Sequence, residues 1–153
     1  MAGAMSLDQA INFSRRMASG VSYRKPLKIC QQIMISGIRK SFARQSTPDG
    51  RAWPQLKEKT RKRRRKGGRG ARILQDRGIL MASVTAQQAS GGVRQLTDTV
   101  AAVGSNVKYA ATHNYGDPSR NIPARTFIGH RPENLPVYDD VFAEFEVQRF
   151  LKT

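Results

Sequence analysis

Phe42-Ala43-Arg44-Gln45-Ser46-Thr47-Pro48-Asp49-Gly50-Arg51-Ala52-Trp53 closes one ordered segment, and Ile73-Leu74-Gln75-Asp76-Arg77-Gly78-Ile79-Leu80 opens another. Between them lies Arg61-Lys62-Arg63-Arg64-Arg65-Lys66-Gly67-Gly68-Arg69-Gly70-Ala71-Arg72. Pro48-Asp49-Gly50 reads as a turn, because Pro restricts φ and Gly accepts positive φ. Trp53 and Leu56 are placed to tuck back on the preceding segment. Pro54 suits the start of a short helical turn ending near Thr60, and Gly67, Gly68 and Gly70 break any helix beyond. Two apolar segments thus flank a cationic, glycine-containing arm over residues 57–72.

Upstream of the arm, Leu27, Cys30, Met34, Ile38 and Phe42 recur at steps of three or four, widened by Ile29, Ile33 and Ile35. This pattern predicts an amphipathic helix of about 18 residues beginning near Pro26. Gly37 is its weak point, costing about 1 kcal/mol unless something packs closely there. Earlier still, Ser6-Leu7-Asp8-Gln9 is a capping-box pattern, and a short first helix is expected to stop at Gly20.

Downstream, the period changes to two. Leu80, Ala82, Val84 and Ala86 alternate with Met81, Ser83, Thr85 and Gln87, which predicts a strand. Val93–Leu96 and Thr99–Val103 are further strand candidates, giving an antiparallel meander of three. The stretch from Val107 to Tyr115 is open between helix and strand. Ile122-Pro123-Ala124-Arg125-Thr126-Phe127-Ile128-Gly129 suits an edge strand. Beyond Pro132 and Pro136, Tyr138, Val141, Phe142 and Phe145 predict a C-terminal helix with Asp139 and Asp140 in its first turn.

The chain has 153 residues, which implies one core. Its Lys and Arg outnumber Asp and Glu by 27 to 11, a formal charge of +16. Residues 57–72 concentrate that charge in Lys57, Lys59, Arg61, Lys62, Arg63, Arg64, Arg65, Lys66, Arg69 and Arg72, against Glu58 alone. Residues 133–153 run the other way, with five acids against Arg149 and Lys152. A single cysteine excludes an internal disulfide framework and a cysteine-rich zinc site, and Cys30 reads as a small buried hydrophobe. There is neither an apolar run long enough to span a membrane nor a signal-peptide pattern. A soluble protein of a reducing cytoplasm is the expectation.

Chemistry has little support. His113, Asp117 and Ser119 supply the residue types of a nucleophile set, but a histidine beside a turn is the favoured reading. The arm has three readings. It can grip nucleic acid through phosphate, sequence-blind because no aromatic is interleaved. It can order against an acidic protein surface, or it can be a solvated loop. A ribosomal or nucleoid-like protein binding phosphate through residues 57–72 is the rival reading, although residues 80–92 carry no charge. In a self-assembling ring, the acidic C-terminal segment could face the basic segment of a neighbour.

The spacing of several residues resembles the phage virion morphogenesis (tail completion) family of Mu-like phages and prophages. The similarity is carried by Phe42, Pro48-Asp49-Gly50, Trp53, Leu56, Thr60, the basic spacer, Ile73-Leu74, and Gly78 and Leu80 with Ser83-Val84. It continues in Val103-Gly104-Ser105, Tyr109-Ala110, His113-Asn114 and Gly116, and Ile122-Pro123-Ala124-Arg125 with Phe127-Ile128-Gly129. It covers about residues 27–150 and leaves the first 20 outside, as an extra docking helix. The resemblance implies an α+β fold: a long amphipathic helix and a C-terminal helix on a small antiparallel sheet, with an extended basic arm. The layout expected is an extension over 1–20, a core over 21–132 and an acidic helix over 133–153.

By the same resemblance the protein is a structural component at the head–tail junction, a tail completion or terminator protein. Its expected partners are its own copies, in a homo-oligomeric ring expected to be a hexamer, and the neighbouring neck, connector and tail tube proteins. Genomic DNA in the channel is a further contact, and no membrane is involved. It would sit in the virion tail or neck, and in the host cytoplasm during assembly. No enzyme activity, cofactor or metal is implied. Pro48, Gly50 and Trp53 would anchor the arm, Gly78 would lead into the first strand, and Tyr109, His113 and Gly116 are structural positions. Pro123, Arg125 and Phe127 would fix a loop on the core, with Arg125 a candidate for an intersubunit or core-edge salt bridge.

Overall fold

The computed structural model describes residues 20–66 and 72–151, with backbone alone at Arg65 and Lys66. The first helix expected over 6–20, the glycines 67, 68 and 70, and Arg69 lie outside the described residues, apart from Gly20 itself.

Helix α1, Arg24–Arg44, is the spine. It buries Cys30, Ile35, Ile38 and Phe42 along one side, as its apolar spacing requires. It begins two residues before Pro26, which is buried in the first turn, and ends at Gln45 in the left-handed conformation, φ 57°. Ile35, Ile38 and Phe42 meet Trp53, Ile73, Leu74, Leu80, Val84, Val103, Ala110 and Phe127 in a continuous core. The Phe42 ring takes Trp53 edge-on, with centroids 5.5 Å apart at 85°, and lies 5.5 Å from the tilted Phe127 ring. Such aromatic contacts add to plain area burial.

The basic run is not an extended arm throughout. Residues Glu58–Lys66 form helix α2. Lys and Arg are good helix formers, Glu58 sits at the positive end, and it pairs with Arg61 and with Lys62 (3.8 Å) across one turn.

The stretch expected as a first strand is helix α3, Ile79–Thr85. Leu80 and Val84 fit both periods, but Ser83 is buried with them, completing a helical i, i+3, i+4 set. Gly78 therefore leads into a helix; its φ of 74° is open to glycine. The sheet among the described residues has two strands, not three: β1, Gly92–Leu96, antiparallel to β2, Ala101–Ser105, with Arg94 opposite Val103. Gln31 on α1 clips both strands from outside the ladder, donating to Gln95 O (2.9 Å) and Ala102 O (3.0 Å). At Gly92 a Cβ would stand 2.7 Å from Ser83 O, so β1 starts hard against α3.

Residues 110–115 form helix α4, Ala110–Tyr115. The expected edge strand over 122–129 does not form, beyond one isolated bridge between Asp117 and Ile122. Its backbone donors go elsewhere: Arg125 N to His113 O (2.7 Å), and Phe127 N and Ile128 N to Asn114 Oδ1 (3.0 and 3.2 Å).

Helix α5, Leu135–Phe150, closes the chain. It starts at Leu135 rather than Tyr138, so Asp139 and Asp140 fall after its first turn. It leans on α1, where Tyr23 lies 6.0 Å from Phe142 and 5.7 Å from Phe145. Gly37 is the crossing point. A Cβ there would lie 3.2 Å from Arg131 Cδ, and Arg131, 3% exposed, reaches Ser41 Oγ (3.4 Å) and Glu133 (2.6 Å).

Candidate functional site

The cationic segment stands on two clamped feet. The first is Trp53–Gln55. Trp53 is 2% exposed and its Nε1 donates to Thr126 O (3.0 Å). Arg125 is buried, and its guanidinium donates to Pro54 O (2.8 Å) and Gln55 O (3.0 Å). The second foot is Ile73–Gln75. Gln45 Oε1 accepts from Ile73 N (2.5 Å), while Gln45 Nε2 donates to Phe42 O (2.8 Å), which also accepts from Gln75 Nε2 (3.0 Å). Both feet thus attach to the C-terminal end of α1 or to the 125–127 segment, whose own anchor is Asn114.

Before the first foot, Thr47–Arg51 forms a tight turn with Gly50 at φ 92°. Pro48 is buried there, and a Cβ on Gly129 would come within 3.0 Å of its ring. Gly116, at φ 82°, is also tight: a Cβ would stand 2.8 Å from Ala124 N.

From the feet, α2 presents Lys59, Arg61, Lys62 and Arg63 to solvent, with Lys57 just ahead of it. Arg64 alone among its described cations turns inward. Its side chain is 12% exposed, donates to Arg72 O (2.7 Å) and lies 3.6 Å from Asp76. Arg72 is exposed.

Behind α2 is a cleft of about 360 Å³, shared with α3 and α4. Leu56, Leu74, Ile79 and Leu80 give it an apolar floor; Arg64, Asp76, Arg77, Tyr109, His113 and Arg125 line the rest. The crowding of cations is visible at His113. Burial first, then Arg125, Arg64 and Arg120, hold its pKa below the ordinary histidine value. The imidazole is therefore neutral at pH 7, with the Tyr109 ring edge-on at 5.8 Å. Burial, and then Arg64, also lower the Arg125 pKa, yet a guanidinium stays charged.

Asp117 does not serve His113. Its carboxylate accepts from Ser119 Oγ (2.6 Å) and from Arg120 Nε (2.6 Å) and N (3.2 Å), and these bonds lower its pKa to about 2. Arg125 makes its bonds to backbone carbonyls inside the chain rather than the salt bridge expected of it. Among the described residues no cluster of three or more His, Cys, Asp or Glu could hold a metal ion. Cys30 is buried on α1, and burial raises its thiol pKa.

Sequence reading missed Asn114 and Arg131, both buried. An Asn beside a Gly-terminated helix and an Arg beside a Pro read as ordinary surface. Their signals were the His113-Asn114 pair for the first and the unexplained Gly37 for the second. The motifs at 113–116 and 122–129 turn out to be two sides of one contact, joined through Asn114.

Residues 8–145 match the phage virion morphogenesis family. The chain belongs to that family. Its role is in the building of the phage virion. The match takes in most of the N-terminal stretch that was expected to lie outside the resemblance. No curated protein and no solved structure matches the chain. Among the described residues, no helix of this phage virion morphogenesis protein is long and apolar enough to cross a membrane.

Proposed function

We propose that the protein completes the tail of the virion, acting as a ring at the tail end that receives the head. Membership of the virion morphogenesis family carries this reading. Two surfaces of opposite charge support it. Helix α2 carries seven cations against Glu58, and α5 carries Asp139, Asp140, Glu144 and Glu146 against Arg149. A chain with two unlike, complementary patches joins head-to-tail, and head-to-tail contacts close into rings when the rotation allows. No catalytic step belongs to this role. His113 and Asp117 act as structural groups, and the neighbouring ring and tail tube proteins are the partners.

Deleting the gene tests the reading by electron microscopy of the lysate. Filled heads and separate, unfinished tails are expected; normal joined particles refute it.

The exposed cations of α2 favour a second reading, contact with DNA phosphate. That contact would be sequence-blind and steeply salt-dependent. Purified protein whose affinity for duplex DNA is unchanged between low and physiological salt would remove it.

A further inference from the structure

Helix α5 has a feature that its own chain leaves unaccounted for. All of its residues are described, and none is buried. Its side toward α1 holds Tyr138, Val141, Phe142 and Phe145, half-buried. A second apolar stripe points the other way. Ala143, Val147, Phe150 and Leu151 follow at steps of four, three and one, which places them on one face. Val147 is 58% exposed and Leu151 82%. Asp139, Asp140 and Glu144 flank the stripe and are exposed as well. A helix apolar on opposite faces is one that becomes covered on both.

We propose that this outer face of α5 seats in the cleft behind α2 of a second copy. The inference rests on the ring reading and names its joint. The cleft matches the stripe in chemistry. Its floor is Leu56, Leu74, Ile79 and Leu80, and Ile79 is 46% exposed. Its margin carries Arg77 and the outward cations of α2, opposite in sign to the acids beside the stripe. Apolar anchors at i, i+4 and i+7 laid into a groove are a recurring mode of helix recognition, and the flanking charges set orientation and partner choice. In its own chain, α5 makes its main contacts with α1 and with the 3-10 turn Pro132–Asn134, so α5 and the cleft remain separate surfaces.

The test uses full-length chains in sedimentation velocity. One carries Asp139→Lys, Asp140→Lys and Glu144→Lys; the other carries Arg63→Glu and Arg77→Glu. Each alone is expected to self-associate at least about tenfold more weakly than wild type, and an equimolar mixture to regain the oligomer, because opposite charges again face each other. In parallel, Val147→p-benzoylphenylalanine is photo-crosslinked in a mixture of light and heavy-isotope chains. Mixed-isotope crosslinks to residues 56–80 are expected. Crosslinks to residues 1–19 of the same chain would make that segment the cover and overturn the proposal. So would oligomers of wild-type strength from either reversed chain, which leave the ring reading standing. Wild-type chains found on tails as isolated monomers would remove the ring reading itself.

Discussion

Arg125→Met separates a residue that holds its own chain together from one that joins two subunits. The guanidinium makes two charge-assisted hydrogen bonds, to Pro54 O and Gln55 O. Each is worth about 1.5–3 kcal/mol, so together they contribute roughly 3–6 kcal/mol. Methionine keeps the apolar stem and removes the cost of burying a cation, which offsets about half of that loss. A net destabilisation of about 2–3 kcal/mol follows. With a urea slope of about 2 kcal/mol per molar for a chain of this size, the midpoint drops by roughly 1–1.5 M. Arg125→Lys recovers little, because a point-charge ammonium cannot fork between two carbonyls. The assay is urea unfolding followed by Trp53 fluorescence, run beside sedimentation of the native protein. A midpoint shifted by less than about 0.2 M, together with lost self-association, would refute the reasoning and return Arg125 to the subunit interface.

Three other outcomes follow from the packing and the charges. Gly92→Ala puts a methyl 2.7 Å from Ser83 O and should cost about 1–3 kcal/mol in thermal or urea unfolding. Gly37→Leu gains helix propensity but drives into the Arg131 stem; a net loss of about 1–3 kcal/mol is expected, with the Tyr23 contact to α5 loosened in aromatic NMR shifts. For His113, the depressed pKa means that the unfolded chain binds a proton first as pH falls. Its stabilising contribution is present above the ordinary value of 6.5 and is lost as pH drops from there toward the folded pKa. His113→Gln should flatten stability against pH in that window, and an imidazole titrating at or above 6.5 in NMR would contradict it.

The helices at the two ends of the core and the β1–β2 pair were legible because each has a long or clean pattern. The apolar steps along α1 exceed five turns, which no strand imitates. Residues 79–85 misled for the opposite reason. Seven residues are too few to separate the two periods when the large side chains, Leu80 and Val84, stand four apart and serve both. The deciding residue is Ser83, whose hydroxyl turns back to Leu80 O (2.8 Å) and meets Ser105 Oγ (2.7 Å). A polar residue in the core gives no hydropathy signal. Helix α2 was hidden because nothing apolar recurs in it; propensity and the Glu58 pairs carry it. The edge strand at 122–129 failed because a side-chain amide, Asn114, and a helix carbonyl, His113 O, took the donors that a ladder needed. At the candidate site, charge was plain from the sequence, but the cleft behind it is built from residues as distant as Leu56, Ile79 and Arg125, whose meeting no local pattern announces.

The double footing of the cationic segment makes it a cassette. Trp53–Gln55 and Ile73–Gln75 are each held by side chains that belong to the rest of the fold, so the chain between them is free to change length and composition without refolding the core. Lengthening a loop whose ends are already fixed adds little, about 0.6 kcal/mol for each doubling. Evolution can therefore re-address the protein to a different neighbour by rewriting residues 57–72 alone, and an engineer can graft a reporter there while leaving the fold intact.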